Sequence, residues 1–314
     1  MKYAIGADIG GTTVKLGLFS EAGDLLEKRE IPTDTRESGA HVLPDIAKAL
    51  ENRLAEKGIP KSDVLGVGFG VPGAVLEDGT VNHCVNLGWN VVPIRKDFEA
   101  LTGLKAWAGN DGNVAALGEV WKGCGKGYRN AVMVTLGTGV GGGVILDGKI
   151  VTGSFGAAGE IGHMPMIEGE EEPCGCGKKG CLEQYSSANG LVRVARRMLN
   201  ADARESMLRG FDPLTAKDVC DCAHRGDPLA REAIHWSMNL LGKALATVSA
   251  VVDPDVFIIG GGLSRSGDLL LDPIQEAFNR YSFHASRRTG FLVAELGNDA
   301  GIFGAVHLVL SACV

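Results

Sequence analysis

Several things are scarce or missing in this chain of 314 residues, and each absence excludes something. No apolar run approaches the roughly 20 residues that a membrane-spanning helix needs. The start, Met1-Lys2-Tyr3-Ala4-Ile5-Gly6-Ala7-Asp8, has neither the apolar core nor the small-residue cleavage site of a secretory leader. There is no long basic run and the net charge is −7, which argues against nucleic acid or an anionic membrane as a partner. Two common nucleotide fingerprints are also missing. No Gly-x-x-x-x-Gly-Lys-Ser/Thr loop occurs, and no Gly-x-Gly-x-x-Gly opens a helix; Gly137-Thr138-Gly139-Val140-Gly141 reads as a hairpin instead. Aromatics are only 6%, but hydrophobic residues reach 45%, so the cores are aliphatic. The length suits two domains of ordinary size. Eight Cys without a secretory leader point to reduced thiols and metal, not disulfides, and to a cytoplasmic protein.

What the chain does contain is concentrated in a few places. The densest is Gly159-Glu160-Ile161-Gly162-His163, then an acidic loop, then Cys174-Gly175-Cys176-Gly177-Lys178-Lys179-Gly180-Cys181-Leu182-Glu183. Three Cys and one His make a closed tetrahedral set, and thiolate with imidazole suits Zn²⁺. The glycines let the backbone turn tightly enough for the thiols to converge. With His163, Cys174, Cys176 and Cys181 as ligands, protein fills every position, so the expected zinc is structural. Glu160 and Glu183 bracket the set, and a metal that fixes His163 also fixes where those carboxylates point. Cys220 and Cys222 look like a second metal pair. Two residues apart on a helix, they face different directions and are assigned to packing.

A glycine–threonine hairpin heads each half of the chain. Tyr3 to Asp8 reads as a buried strand, Gly10-Gly11-Thr12-Thr13 as a turn, and Val14 to Phe19 as the returning strand. Backbone N–H groups at such a tip can approach phosphate closely, and Thr adds donors. Asp8, just before the turn, is placed to hold Mg²⁺ directly or through water. Alone, the turn does not separate phosphate binding from a plain hairpin. The second half repeats it: Ala131 to Leu136, Gly137-Thr138-Gly139, then Val140 to Leu146, with Gly10 falling on Gly137 and Leu18 on Ile145.

The remaining pattern alternates strands and helices. Val42 to Glu56 has helical spacing, and Val64 to Phe69 is a strand that runs into Gly70-Val71-Pro72-Gly73. A short strand from Leu104 to Ala108 ends at Asn110-Asp111, and a helix starts near Asn113. Asp111 there is either a helix cap or the carboxylate that accepts a hydroxyl proton in phosphoryl transfer. Helices follow over Ala188 to Leu199, Thr215 to His224 and Pro228 to Val252, the second capped by Thr215 with Asp218. Val256 to Ile259 is a buried strand opening into Gly260-Gly261-Gly262. That run leaves room for a flat adenine or ribose, or else forms a flexible turn. A strand over Leu292 to Glu295 and a helix over Ala300 to Leu310 close the chain.

Gly-Glu-x-Gly-His followed by Cys-x-Cys-Gly-x-x-Gly-Cys-Leu-Glu resembles the signature of the ROK family of bacterial sugar kinases, and most of all its glucose-phosphorylating members. The resemblance runs from residue 3 to residue 310. The paired hairpins are similar to those of the sugar kinase/actin/heat-shock-70 architecture. Together these imply an α/β fold class: a two-domain, ribonuclease H-like duplication with an interdomain cleft. The expected division is a small α/β domain over 1–110, joined by a C-terminal helix at 300–314, and a large α/β domain over 111–299 that carries the zinc loop.

The resemblance also implies an activity, ATP-dependent phosphorylation of glucose to glucose 6-phosphate, the first step of glucose use in glycolysis. Asp111 would be the base. Gly73, Asn110, Glu160, His163 and Glu183 would hold the sugar, with His163 giving one ring nitrogen to zinc and the other to a hydroxyl. Asp8, Gly10, Gly11, Thr12, Thr13 and Lys15 of the first hairpin, Gly137, Thr138 and Gly139 of the second, and Gly260, Gly261 and Gly262 would hold ATP, with Mg²⁺ near Asp8. The family pattern more often has Glu before Asn-Asp, where this chain has Gly109. A homodimer or homotetramer is expected. N-acetylmannosamine kinases share the same metal-loop motifs, so that sugar or another hexose is the alternative. Sugar-sensing ROK regulators carry a helix-turn-helix ahead of the kinase-like part. A first hairpin that begins at Tyr3 leaves no room for one, and the charge is acidic.

Overall fold

The first strand, β1 (Tyr3–Ile9), is buried on both faces, which is why it reads as a near-continuous apolar run. The computed structural model describes residues 1–313. After β1 come β2 (Thr13–Ser20), β3 (Leu25–Pro32), helix α1 (Val42–Glu56), β4 (Val64–Val71), β5 (Ala74–Val75), β6 (Thr80–Cys84), β7 (Trp89–Pro93), helix α2 (Ile94–Thr102), β8 (Ala106–Asn110) and helix α3 (Asp111–Lys122). Then follow β9 (Ala131–Leu136), β10 (Val140–Leu146), β11 (Lys149–Ile150), α4 (Ala188–Ala201), α5 (Ala216–His224), α6 (Pro228–Val252), β12 (Val256–Gly260), α7 (Asp268–Tyr281), β13 (Gly290–Val293) and α8 (Ala300–Ala312).

The chain divides into two units. One holds Met1–Arg129, Gly143–Gly159 and the stretch from Glu295 onward; the other holds Asn130–Gly142 and Glu160–Ala294. In the first unit the main sheet has the order β3-β2-β1-β4-β8, antiparallel through β3, β2 and β1 and parallel through β1, β4 and β8. Side chains alternate across it. Ile5, Ala7 and Ile9 of β1 join Val67, Phe69 and Val71 of β4 in a core with Ile46 and Leu50 of α1 and Phe98 of α2. Ala4 turns to the other face, where Ile302, Val306 and Val309 of α8 cover the sheet. That cover is unusually close. Gly6 and Gly68 are partners on β1 and β4, and a Cβ on either would lie 2.3 or 1.8 Å from a carbonyl oxygen of α8.

The sequence division at residue 110 differs from the observed one. Helix α3 belongs with the first unit because it crosses α8 at backbone contact: a Cβ on Gly304 would lie 1.7 Å from the Val114 carbonyl oxygen, and one on Gly118 2.2 Å from that of Ala300. The segment Gly143–Gly159 belongs there too, packed against the start of α3.

In the second unit β12 is fully buried, and it pairs in parallel with β9 and with β13. The β12–β13 crossover runs through α7, which packs on α6. Phe257, Phe278 and Phe291 form one aromatic cluster, with ring centroids 5.2 to 5.6 Å apart. The second large sheet has the order β11-β10-β9-β12-β13, and the chain passes from one unit to the other within β10. Cys220 and Cys222 are both buried on α5, as packing requires. Thr215 and Asp218 form the reciprocal cap of that helix. The last strand lies at Gly290–Val293, two residues ahead of the expected start. Among the described residues no helix is long and apolar enough to cross a membrane.

Candidate active site

Parallel strands bring their carboxyl ends to one edge, the usual place for a site in an α/β sheet. In the first unit Asp8 lies near the end of β1, Gly70 to Gly73 at and beyond the end of β4, and Asn110 at the end of β8, with Asp8 opposite Gly70 and Val71 opposite Asn110. Asp8 also faces Lys15 across the β1–β2 hairpin, which sets up an ion pair at 3.6 Å. Lys15 Nζ donates in addition to the Asn298 carbonyl at 2.9 Å. Burial pushes the Asp8 carboxyl pKa up, Lys15 pulls it down and the nearby Asp111 charge pushes it up again; the net shift is upward. Burial dominates there because Asp8 sits against the start of α8, where a Cβ on Gly301 would lie 2.6 Å from its Cγ.

The turn between β1 and β2 is held from behind. Gly10 N–H donates to the Thr13 carbonyl at 3.0 Å, Thr33 Oγ1 donates to the Gly10 carbonyl at 2.7 Å, and Thr33 N–H donates to the Thr12 carbonyl at 2.9 Å. Gly11, Thr12 and Thr13 stay exposed at the tip.

Asn110 and Asp111 form the N-terminal turn of α3. Asn110 Oδ1 accepts the Asn113 N–H at 3.1 Å, the ordinary helix-capping bond. Its Nδ2 donates to the Gly73 carbonyl at 3.1 Å and to Asp111 Oδ1 at 3.0 Å. Asp111 Oδ1 also accepts the Gly112 N–H at 2.8 Å. The cap, then, is Asn110, and among the described residues no other residue donates to the second carboxylate oxygen of Asp111. Asp111 is exposed by surface, yet the protein crowded around its carboxyl raises the pKa, against the lowering effect of the Gly112 N–H and Asn110. A raised, half-committed carboxylate at a strand end is suited to taking a proton.

The second unit holds the candidate metal set. His163 ends a short 3₁₀ turn (Ile161–His163), and bridges between Pro165 and Cys181 and between Pro173 and Lys179 fold the cysteine loop back on itself. The ligand atoms of His163, Cys174, Cys176 and Cys181 all lie within 4.8 Å of one another. Cys176 Sγ and Cys181 Sγ are 3.6 Å apart, and Cys174 Sγ is 3.7 Å from His163 Nδ1. Tetrahedral Zn–S bonds of about 2.3 Å place two sulfurs about 3.8 Å apart, so the four residues fit zinc. Burial pushes the Cys174 thiol up to about 12, and a bound dication is what would deprotonate it. His163 turns Nδ1 to the thiols and Nε2 toward Glu160 Oε2, 3.9 Å away.

Glu183 sits between the metal loop and the second hairpin. Its Oε2 accepts the Val140 N–H at 3.0 Å, and its Oε1 accepts from Cys174 Sγ at 3.6 Å. A Cβ on Gly139 would lie 2.0 Å from that Oε2, so only glycine admits the carboxylate there. Gly137 N–H donates to the Gly139 carbonyl at 3.0 Å, and Ala188 N–H donates to the Gly137 carbonyl at 2.8 Å; Thr138 is exposed at the tip.

Gly260, Gly261 and Gly262, expected to clear room for a nucleotide, do so at one position only. A Cβ on Gly260 would meet Met133 at 2.9 Å, and Gly261, at φ +85°, has the Leu136 backbone 2.5 Å away. Gly261 is demanded by the unit's own packing, whereas at Gly260 the nearest atom is the flexible end of Met133. Only Gly262 faces open space. Two features escaped the sequence reading. Glu170 of the acidic loop pairs with Arg193 at 2.8 Å and Arg197 at 3.0 Å and accepts from Tyr185 Oη, which anchors that loop to α4. The helical spacing of Arg193 and Arg197 was the available signal. Asn113, buried just inside α3, was the other.

Strand-end carboxylates and two glycine–threonine hairpins on a mixed α/β, two-domain actin-like fold define a sugar kinase-type protein. Residues 4–312 match the ROK family, and the chain belongs to it. It is 41% identical to a glucokinase of Halalkalibacterium halodurans, over 98% of this chain and 95% of that protein. Among solved structures it is similar to a ROK family glucokinase from Streptomyces griseus in complex with glucose and AMPPNP, at 35% identity and a TM-score of 0.77, covering 98% of both chains. It is also similar to a ROK hexokinase from Thermus thermophilus, at 30% identity and a TM-score of 0.82, covering 99% of both.

Proposed function

We propose that this protein transfers the terminal phosphoryl group of ATP to the 6-hydroxyl of glucose, giving glucose 6-phosphate and ADP. The observation that carries the reading is Asp111. One of its oxygens is tied to Gly112 and Asn110, no other residue among those described donates to the second, and its pKa is raised. The likeness to glucokinases, one of them solved with glucose and an ATP analogue, supports the choice of substrates.

Asp111 takes the hydroxyl proton as the oxygen attacks phosphorus, since phosphoryl transfer asks the protein mainly for positioning and a proton acceptor. Asn110 is held by Gly73 and directs its amide to the sugar. Glu160, His163 through Nε2 and Glu183 accept or donate to the other ring hydroxyls. The exposed tips at Gly10 to Thr13 and Gly137 to Gly139 hold the phosphates with backbone N–H groups and Thr hydroxyls, and Lys15 adds a positive charge. Mg²⁺ supplies charge neutralisation on the phosphates, and Asp8 is the residue that would hold it. His163, Cys174, Cys176 and Cys181 would hold Zn²⁺, which would fix the imidazole's tautomer and direction. Gly262 is the one member of its glycine run with space to line a nucleotide.

Purified protein should phosphorylate glucose in a coupled assay with ATP, with a higher kcat/KM than for mannose, fructose or N-acetylmannosamine. A preference for N-acetylmannosamine would move the reading to the other branch of the family. No turnover with any hexose would overturn it in favour of a sugar-sensing role.

A further inference from the structure

Asn113 is a polar side chain with almost no exposure, 2%, two residues past the catalytic position. Capping needs only its backbone, which donates to Asn110 Oδ1. Its side chain does something else. Oδ1 accepts the Val144 N–H at 3.1 Å, and Nδ2 donates to the Ala158 carbonyl at 3.5 Å. Val144 lies on β10, the strand that continues from the Gly137-Thr138-Gly139 turn. Ala158 lies two residues before Glu160 and five before His163. One buried amide is thus bonded to three segments: the turn bearing Asp111, the strand leading from the second hairpin, and the loop leading to the sugar-directed residues.

The packing around it leaves little slack. A Cβ on Gly143 would lie 2.5 Å from the Gly112 carbonyl oxygen and 2.7 Å from Ala116 Cβ, so β10 is pressed against the first turn of α3. Gly156, at φ +72°, is pressed in turn on the Val75 backbone, with a Cβ there 2.8 Å from the Val75 carbonyl oxygen. The loop from 152 to 159 is therefore fixed at Gly156 and at Ala158, and Asn113 supplies the second of these ties.

We propose that Asn113 is a positioning residue for the phosphoryl transfer: its side-chain amide sets the register of Asp111 against the strand and the loop that lead to the substrate-holding residues. This rests on the kinase reading above. Asn113 touches neither substrate, and it acts by holding Val144 and Ala158. In-line transfer tolerates little displacement, and a misplacement near 1 Å can cost about 10²-fold in rate.

Two substitutions separate its two bonds. Asn113→Asp keeps an oxygen for the Val144 N–H but puts an acceptor where the donor to Ala158 was. Asn113→Ala loses both. Asn113→Asp should raise the KM for glucose about tenfold while the KM for ATP stays within about twofold, and hydrogen exchange should quicken over residues 152–160. Asn113→Ala should in addition lower kcat about 10²-fold. If both variants melt earlier but keep the wild-type kcat and both KM values, Asn113 is only a packing residue and the proposal fails. It fails equally if exchange over 152–160 is unchanged in Asn113→Asp, whatever the kinetics. Turnover of the unaltered protein with glucose decides the kinase reading on its own, so the two failures are distinguishable.

Discussion

If Asp111 is the base, replacing it by Asn isolates the proton-accepting step, because its two carboxylate oxygens are held differently. Oδ1 is committed to the Gly112 N–H at 2.8 Å and to Asn110 Nδ2 at 3.0 Å. Among the described residues no donor is recorded on Oδ2, so Oδ2 is the oxygen available to a substrate hydroxyl. An Asn at this position can put its amide oxygen where Oδ1 is, keep both bonds, and present an NH₂ where Oδ2 was. The fold of the α3 turn is then conserved and only proton acceptance is lost. Removal of a general base costs about 10²–10⁴ in rate, which is about 2.7–5.4 kcal/mol of barrier. Stability should not fall alongside it. A carboxyl whose folded pKa is raised is disfavoured in its ionised form, so at pH 8 the wild-type charge weakens the fold and Asp111→Asn relieves that. The expected result is a kcat down by at least about 10²-fold, glucose binding by calorimetry close to wild type, and a melting temperature at pH 8 equal or higher. A purified, folded variant with kcat within about threefold of wild type would remove Asp111 from the chemistry.

The same raised pKa sets a pH dependence: activity is present while Asp111 is ionised and is lost as pH falls through its folded pKa, so the acid limb of kcat/KM should lie above the ordinary value of 3.8, and a limb at or below it would refute the assignment. Metal analysis should find about one zinc per chain, as a closed four-ligand site requires; Cys176→Ala should lose it and raise the KM for glucose while circular dichroism stays largely unchanged, and a metal-free active enzyme would show the loop has been misread. Gly261→Ala should cost about 1–3 kcal/mol of stability, because it combines a left-handed backbone with a contact on Leu136, whereas Gly262→Ala should melt like wild type; equal melting temperatures for the two would overturn the packing account.

The elements that could be read from the sequence are those whose own residues determine them. Helix α6 carries Asp227 as a cap, Pro228 at its first turn and a long apolar face, and its span is as read. Helix α1 is likewise set by its periodicity. The metal set was legible because thiols and imidazole at that spacing have few other uses, and the four ligand atoms do converge. What escaped was decided by distant partners. β3 alternates weakly, as an edge strand largely open to solvent. The small sheet of β5, β6 and β7 is built from strands as short as two residues, too short for a period to show. Nothing local to Asp111 announces that Gly118 will meet Gly304, the contact that groups α3 with the first unit. The glycine run at 260–262 looks uniform in sequence, but Gly261 answers to the Leu136 backbone, Gly260 meets the flexible end of Met133, and Gly262 faces open space.

Within the second unit, the residues assigned to sugar and those assigned to phosphate share one support. His163 follows Gly162, where a Cβ would lie 2.1 Å from the Val140 carbonyl oxygen, so the histidine's turn is in backbone contact with the start of β10. Glu183 accepts the Val140 N–H, and Leu182 N–H donates to the Met164 carbonyl at 2.9 Å, tying the end of the cysteine loop to the residue after His163. Ala188 then holds the Gly137 carbonyl. The stretch from Gly162 to Ala188 therefore grips the second hairpin from both ends while also presenting His163 and Glu183. It has few large apolar side chains to hold that shape, and two exposed lysines lie inside its tightest turn. Between His163 and Cys181 no large apolar side chain is buried except the cysteines, so hydrophobic burial contributes little to the shape of that part. A structural zinc can contribute more, since binding to such sites is worth about 10–16 kcal/mol in isolated peptides. A metal held by His163, Cys174, Cys176 and Cys181 would in that way order together the second-unit residues proposed for sugar and those proposed for phosphate.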